Sequence, residues 1–241
     1  MSNRGFADCL RIFHCLSRIV LLDGLELEFT NQASSDIIKL DSLAKGVDVM
    51  PQPQIDRDNY NYEDYLSWPE DERWEIIDGM PYLMAPPSRI HQEISVELSR
   101  QISNYLISKP CKVYAAPFGV RLPQGNETSD LEINTVVEPD IVVVCDLSKL
   151  DDQGCKGAPD LIIEIISPSS VKNDMLKKFN CYEKARVKEY WIVEPNGKIV
   201  TVFVLGNNGR YGRQDVYSDD DEIQVTVLKD LRINLKTVFA Y

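Results

Sequence analysis

Apolar positions recur with helical and with strand periods along most of the chain, and from residue 58 onward this pattern predicts one α/β domain. The longest helical stretch is Ile90–Ser108, whose apolar residues are three or four positions apart: Ile90, Ile94, Leu98, Ile102, Tyr105 and Leu106. The continuous apolar runs Pro139–Cys145 and Leu161–Ile166 are typical of strands that are buried on both faces. A helix that ends near Ala185 is predicted after the second run.

Shorter elements fill the rest of residues 58–241. A short opening helix is predicted at Tyr62–Trp68, because acidic residues lie in its first turn and Pro69 ends it. The other predicted elements include a hairpin, Trp74–Asp78 and Pro81–Ala85, and two strands before the first buried run, Lys112–Ala116 and Gly119–Leu122. Four more strands are predicted near the end of the chain: Glu189–Val193, Ile199–Leu205, Arg210–Tyr217 and Glu222–Val227. A polar loop is predicted at Gly125–Thr135, and a turn-rich segment at Asp151–Pro159.

Residues 1–57 lack this regular alternation and are interpreted as an N-terminal extension. A weak amphipathic helix is predicted near Cys9–Leu22, and mixed polar sequence leads to the segment Met50–Pro53. The extension is either an appended segment, ordered or disordered, or the product of an upstream mis-start for which Met50 is the true first residue. The residues do not decide between these two interpretations.

The composition narrows the class of protein. The 241 residues include 38 Asp and Glu against 26 Lys and Arg, which gives a formal net charge of −12. This acidity argues against a sequence-blind nucleic-acid coat protein, which would carry a basic excess, but not against an enzyme with a local cationic patch. Residues 172–189 supply such a patch, because they contain six Lys or Arg and three Asp or Glu.

Cysteine usage and hydropathy give an expectation for the compartment. Six Cys without a CxxC pair, together with two His, predict neither a Cys/His zinc site nor a disulfide framework. The sequence has no apolar run of membrane-spanning length and no signal-peptide pattern. A cytoplasmic protein without a membrane partner is therefore expected.

Acidic residues interrupt strands that are otherwise strongly apolar. Asp140 opens the first buried run, Glu164 lies in the middle of the second, and Glu75 lies in the hairpin. A buried carboxylate without a partner is costly, so such acids are normally paired with cations or bound to metal. Their oxygen atoms suit a hard divalent cation, Mg²⁺ or Mn²⁺. The alternative is that each acid caps a strand end or pairs with a surface lysine.

A cation beside the metal would orient an attacking water and stabilise developing charge. The helix after Glu164 contains Lys177, Lys178 and Lys184. At about 100° per residue, Lys178 lies beside the apolar face of this helix, whereas Lys177 and Lys184 point away. Lys178 is therefore predicted to face the sheet, although extension along the rim of the core is an alternative. Tyr182, one turn later, is assigned to packing.

An ordered set of motifs resembles the Uma-two family (Uma2), which consists of restriction-endonuclease-like proteins of the PD-(D/E)XK superfamily. The motifs that carry the resemblance are Trp74–Gly79, Met84–Gln92, Pro139–Asp146, Gly157–Ser169 and Tyr182–Val193. The resemblance extends from Tyr62 to Ala240. It implies a central mixed β-sheet flanked by helices, with additional β-hairpins, and a Mg²⁺-dependent nuclease site.

The resemblance also implies roles for single residues. Asp140 and Glu164 match the two metal-binding acids of the superfamily, and Glu75 matches the acid on the leading element. The chain departs from the simple pattern at Ile166, where the superfamily often has its lysine, and Lys178 on the following helix is the match instead. His91 matches a recurring family position and is either an additional site residue or a structural helix-start histidine.

The predicted function is a Mg²⁺-dependent endonuclease, with Mn²⁺ as a substitute cofactor, that hydrolyses DNA phosphodiester bonds with a metal-activated water. The expected catalytic residues are Glu75, Asp140, Glu164 and Lys178, and the three acids are the expected metal ligands. Two alternatives stay open: a catalytically inert nucleic-acid or protein binding module with the same fold, and a nuclease that acts on RNA. DNA is the expected substrate partner, and a homodimer is the candidate assembly.

Overall fold

The computed structural model describes residues 18–20, 26–28, 59–69, 71–166 and 173–241. The chain divides into two compact units, Met1–Val49 and Met50–Tyr241. In the first unit, strands β1 (Arg18–Val20) and β2 (Glu26–Glu28) form an antiparallel pair. The helix predicted near Cys9–Leu22 is wrong at residues 18–20, where the β-branched Ile19 and Val20 favour a strand. The rest of that helix lies outside the described residues, and the interpretation of Met50 as a start stays a prediction.

The second unit contains four α-helices and fourteen strands among its described residues. The helices are α1 (Tyr62–Tyr65), α2 (Arg89–Leu106), α3 (Asn173–Ala185) and α4 (Leu235–Val238). The strands are β3 (Trp74–Ile77), β4 (Met80–Leu83), β5 (Lys112–Ala115), β6 (Val120–Arg121), β7 (Val136–Val137), β8 (Ile141–Val144), β9 (Leu150–Asp151), β10 (Gly154–Lys156), β11 (Leu161–Ile165), β12 (Glu189–Glu194), β13 (Ile199–Val204), β14 (Asp215–Ser218), β15 (Glu222–Gln224) and β16 (Arg232–Asn234).

Two six-stranded sheets organise the second unit. The central sheet has the order β14-β13-β12-β11-β8-β5, and the other sheet has the order β4-β3-β7-β6-β10-β9. Both are mixed, because β11 runs parallel to β12 in one and β6 runs parallel to β10 in the other, while the remaining pairs are antiparallel. The predicted α/β class with a mixed central sheet, helices and additional hairpins is confirmed.

The central sheet is buried on both faces. Every residue of β8 and β11 is buried, as their continuous apolar sequences predict. On one face, alternate residues such as Val143 and Ile163 pack with Leu98 and its neighbours on α2. On the other face, Val142 and Ile162 belong to a second cluster, to which helix α3 contributes. The faces alternate because successive side chains of a strand point in opposite directions.

Several predicted boundaries shift for local reasons. The first hairpin turns at Asp78 and Gly79, not at Gly79 and Met80, because both turn residues have positive φ angles (48° and 80°), which the tight two-residue turn requires. The strand predicted to begin at Arg210 begins at Asp215, and before it Tyr211 forms an isolated antiparallel bridge with Leu205. The pattern missed five elements that are each only two to four residues long: β7, β9, β10, β16 and α4.

Two cysteines lie opposite each other at the end of the β5–β8 pair. Lys112 pairs with Val144, so Cys111 and Cys145 occupy the next positions of the same antiparallel register. They form a disulfide, which corrects the expectation of unpaired cysteines for this pair, whereas Cys155 and Cys181 are free and buried. None of the helices in the described part of the chain has the length and apolarity that a membrane crossing requires.

Candidate active site

Lys178 lies between two buried carboxylates. Its Nζ atom is 2.8 Å from Glu75 Oε1 and 3.0 Å from Glu164 Oε1. The three side chains come from α3, β3 and β11, and the lysine side chain is only 12% exposed. The structure thus brings together three of the four residues that the sequence predicts for catalysis, with Lys178 facing the sheet.

The alternation of β11 places Glu164 on the face that α3 covers. Glu164 lies two positions after Ile162, which packs in the cluster on the α3 side of the sheet. Lys178 and Tyr182 are four residues apart on α3, so they lie on the same side of the helix and both face β11. The alternation of β11 and the spacing of Lys178 and Tyr182 on α3 therefore place both side chains next to the carboxylate of Glu164.

Tyr182 is a residue of this site that the sequence assigns to packing alone. Its ring packs against Tyr190 with the ring centroids 5.0 Å apart, and its hydroxyl donates a hydrogen bond of 2.6 Å to Glu164 Oε1. The side chain is fully buried. The spacing of four residues from Lys178 is the signal that could have found this contact, because it places both groups over the same strand.

Asp140 lies at the same edge of the sheet. The antiparallel register joins Ile163 with Ile141, and one further step along both strands sets Asp140 opposite Glu164. Asp140 Oδ2 accepts a hydrogen bond of 2.7 Å from the backbone N–H of Ile165. Its Oδ1 atom is 3.0 Å from His91 Nε2. The fourth predicted catalytic residue and the additional candidate His91 therefore belong to the same site.

The position of His91 follows from the start of helix α2. Ser88 is the N-cap, and its hydroxyl accepts a hydrogen bond of 3.2 Å from the backbone N–H of His91. The imidazole is on the first turn of the helix and is 16% exposed. The Nδ1 atom is buried and has no hydrogen-bond partner among the described residues.

A neighbouring buried acid, Glu138, serves a structural purpose. Its backbone N–H donates a hydrogen bond of 2.9 Å to Glu75 Oε1. Its own carboxylate accepts from the hydroxyl of Tyr65 and from the guanidinium of Arg73, at 2.9 Å in both cases. Glu138 is therefore neutralised by its own partners and helps to hold Glu75 in place.

The electrostatics of the site reflect an excess of negative charge. Burial raises the pKa of Glu164 to about 7, with Asp140 and Glu75 adding to the shift while Lys178 opposes it. Burial by itself would lower the pKa of Lys178, but attraction to Glu164 and Glu75 outweighs it, so this pKa is raised. Burial and the charge of Glu164 raise the pKa of the Tyr182 hydroxyl well above its usual value. Lys178 thus stays charged among acids that repel one another.

The donor atoms of the site fit a hard divalent cation. Among the described residues, hydrogen bonds to Glu75 and Glu164 all reach Oε1, and none reaches Oε2. Carboxylate oxygens are the ligands that Mg²⁺ prefers, and a cation would relieve the repulsion among the acids. The described residues nevertheless contain no group of three acidic, His or Cys side chains already arranged around one point. The carboxylate chemistry therefore fits Mg²⁺ at Asp140, Glu164 and Glu75, and both glutamates also contact Lys178.

Exposed cations lie on the outer side of α3. Lys177 donates a hydrogen bond of 2.7 Å to the hydroxyl of Tyr82, and Lys184 donates one of 2.5 Å to Gln124. A cavity of about 300 Å³ lies beside Lys184, and its lining does not include the three acids of the site. The cationic positions therefore flank the acids instead of contacting them.

Comparisons with known proteins agree with this architecture. The model of the Uma2 family, described as "Putative restriction endonuclease", matches residues 62–236. An uncharacterized protein of Synechocystis sp., slr1290, is 30% identical over 155 residues, which are 61% of this chain and 75% of the relative. The crystal structure of "a putative nuclease belonging to DUF820" from Anabaena variabilis superposes with a TM-score of 0.60 at 18% identity, over 75% of this chain and 97% of that one. At this low identity the superposition supports the fold.

Proposed function

The chain belongs to the Uma2 family, as its ordered motifs predict, and from this membership we propose that it is a Mg²⁺-dependent endonuclease that hydrolyses DNA. The observation that carries the proposal is the contact of Lys178 with Glu75 and Glu164 at the sheet edge that also holds Asp140. The printed descriptions of the family, "Putative restriction endonuclease", and of the Anabaena variabilis protein, "a putative nuclease", support the same chemistry.

In this proposal, Asp140 and Glu164 hold the cation through carboxylate oxygens. When bound, Mg²⁺ supplies positive charge that activates water and stabilises the charge developing on the phosphate. Lys178 keeps its proton and donates a hydrogen bond that orients the attacking water. Glu75 holds the lysine ammonium in position, and Tyr182 fixes the rotamer of Glu164 through its hydroxyl.

The substrate is proposed from the charge distribution. A phosphate backbone would meet Lys177 and Lys184 on the exposed side of α3, close to the buried Lys178. Because the whole chain has a net charge of −12, contact with nucleic acid is expected to be confined to this helix and the bound metal. Weak binding outside the site, with strong salt dependence, follows from this arrangement.

Cleavage of supercoiled plasmid DNA in Mg²⁺, compared with excess EDTA, tests the proposal. We expect nicked and linear products only with the metal. Asp140→Asn should lower the rate by about 10²–10³-fold or more, the loss typical of removing one charged group from such a site. Asp146→Asn is the matched control, because Asp146 is exposed and follows the opposite end of β8. Equal cleavage by wild type and Asp140→Asn would contradict the assignment.

The same assay separates the alternative functions. A parallel reaction with single-stranded and duplex RNA shows whether ribose chains are cut in preference to DNA. A protein that binds DNA and cuts neither substrate in Mg²⁺ or Mn²⁺ would be the inert binding module. These outcomes are distinct, since binding is followed by gel shift and cleavage by product size.

A further inference from the structure

The acids of the site are held in a common way. Each glutamate has one oxygen that receives all of its hydrogen bonds from the described residues: Glu164 Oε1 accepts from Tyr182 and Lys178, and Glu75 Oε1 accepts from Glu138 N–H and Lys178. The second oxygen of each glutamate receives none of these bonds. One oxygen therefore anchors each side chain, and the other is available to a ligand.

Asp140 departs from this pattern. Its anchoring oxygen is Oδ2, which accepts a hydrogen bond of 2.7 Å from the backbone N–H of Ile165. The other oxygen, Oδ1, is the one that corresponds to the available oxygens of the glutamates, and His91 Nε2 lies 3.0 Å from it. Each oxygen of Asp140 thus has a partner in the protein, and these two contacts restrict rotation of the carboxylate about the Cβ–Cγ bond.

We propose that His91 is a positioning residue that donates a hydrogen bond from Nε2 to Asp140 Oδ1 and so fixes the orientation of this carboxylate for the metal. The inference rests on the proposed function only for the role of Asp140 as a ligand. An oxygen that accepts from an imidazole keeps a second lone pair for a cation. Hydrogen bonds of this kind to ligand residues tune metal affinity.

The surroundings of the two ring nitrogens of His91 determine which nitrogen carries the proton. If Nδ1 carried the proton, a buried N–H would have no acceptor among the described residues, and the lone pair of Nε2 would face Oδ1 at 3.0 Å. Both situations are unfavourable. With the proton on Nε2, the short contact becomes a hydrogen bond and the buried Nδ1 is an acceptor without a donor, which costs less than the first arrangement.

The geometry lowers the cost of binding the metal. Asp140 is held by the backbone of β11 on one side and by the first turn of α2 on the other. The rotamer is therefore fixed when the protein folds, and less side-chain entropy is lost when the cation arrives. His91 acts on the cation through Asp140, so it is not assigned a catalytic role.

Nitrogen-15 NMR of the imidazole tests the pairing without metal or substrate. The chain contains only two histidines, His14 and His91, so a spectrum of His91→Gln assigns the signals. When the ring of His91 carries a single proton, we expect the shift of a protonated nitrogen at Nε2 and that of an unprotonated nitrogen at Nδ1. Protonation of Nδ1 instead would overturn the inference.

Calorimetric titration with Mn²⁺ tests the consequence. His91→Leu removes the donor and should weaken Mn²⁺ binding by about 10–100-fold. His91→Gln keeps an N–H donor at a similar reach and should retain most of the affinity. Gln92→Leu, at the next and exposed position of α2, is the matched control and should bind as wild type does. Unchanged affinity in His91→Leu would overturn the positioning role.

The two measurements keep this inference separate from the proposed function. If the wild type takes up no Mn²⁺, the proposed metal chemistry fails, while the imidazole spectrum still decides whether His91 donates to Asp140. If His91→Leu does not fold, as judged by thermal unfolding, the spectrum and His91→Gln decide. A loss of Mn²⁺ affinity of about 10-fold or more in His91→Gln, which keeps an N–H donor, would overturn the inference.

Discussion

The ammonium group of Lys178 contacts two carboxylates from different sheets. These contacts keep the lysine protonated and hold its side chain in one position. Glu75 belongs to β3 and Glu164 to β11, so the lysine also joins the sheets at the site. A cation in such a position is held by acids that would otherwise repel each other. The same contact therefore contributes to stability and to the proposed chemistry.

Replacing this lysine should damage both properties. Lys178→Met leaves two buried carboxylates without their cation, and we expect a loss of about 3–5 kcal/mol in the free energy of unfolding. Mg²⁺-dependent cleavage should fall by about 10²–10³-fold or more. Urea denaturation and the plasmid assay measure the two effects. Lys112→Met, on an exposed position at the opposite end of the central sheet, should change neither.

Two buried tyrosines of one aromatic cluster give a second prediction. The Tyr182 hydroxyl donates to Glu164, whereas the hydroxyl of Tyr211 has no hydrogen-bond partner among the described residues. Tyr182→Phe should lower the free energy of unfolding by about 1–3 kcal/mol, since a buried carboxylate loses a donor. Tyr211→Phe should be neutral or slightly stabilising. Equal losses in urea denaturation of the two variants would show that packing alone sets the value of both hydroxyls.

At the scale of elements, the antiparallel pairing of β8 with β11 brings the acids together. Asp140 and Glu164 are 24 residues apart in sequence, and only the register makes them neighbours. A shift by one residue would turn Glu164 to the α2 face, away from Lys178. A slipped register is unfavourable because it would bury the Glu164 carboxylate without its partners Lys178 and Tyr182.

A buried acid at the other end of the neighbouring strand anchors the C-terminal segment. Glu189 is fully buried. Its carboxylate accepts a hydrogen bond of 2.8 Å from Trp191 Nε1 and one of 2.9 Å from the backbone N–H of Val227. Glu189→Met should lower the free energy of unfolding by about 1–3 kcal/mol, because two buried donors lose their acceptor. Glu194→Met, at the exposed end of β12, should change it by less than about 0.5 kcal/mol. Urea denaturation followed by circular dichroism measures both.

The pH dependence of that difference has a definite sign. Burial raises the pKa of Glu189 above its ordinary value of 4.5. The native state then binds this proton more readily than the unfolded state, so the contribution to stability is complete below pH 4.5 and is lost as the pH rises through the native pKa. The difference between wild type and Glu189→Met should therefore be larger in mild acid than at neutral pH. A difference that shrinks on acidification would contradict this assignment.

At the scale of the whole molecule, one unit contains every element of the proposed site. Residues Met50–Tyr241 form a compact unit with both six-stranded sheets and all five candidate residues. Near its start, Tyr60 and Tyr62 pack against Ile76 and Val136. The site therefore depends on an intact core that begins close to residue 59.

We expect a variant that begins at Met50 to unfold cooperatively and to bind Mn²⁺ with the affinity of the full chain. A variant that begins at Asp71 lacks α1 and uncovers Ile76, so its unfolding temperature should be lower by several degrees, since a loss of about 1 kcal/mol shifts it by about 2–4 °C at this size. Differential scanning calorimetry and the Mn²⁺ titration measure both variants. Failure of the Met50 variant to unfold cooperatively would show that residues 1–49 are required.

The sequence by itself determined the buried strands, the apolar face of α2, the four candidate catalytic residues and the direction of Lys178. The strands, the apolar face and the direction of Lys178 follow from periods of two and 3.6 residues, which are local properties of the chain. The candidate acids follow from carboxylates that interrupt apolar strands and from the resemblance to the Uma2 family. Only the tertiary structure decided that Tyr182 bonds Glu164, that His91 Nε2 lies 3.0 Å from Asp140 Oδ1 and that Cys111 pairs with Cys145. Each of these contacts joins different elements, so it depends on strand order and register, which no single segment of sequence encodes.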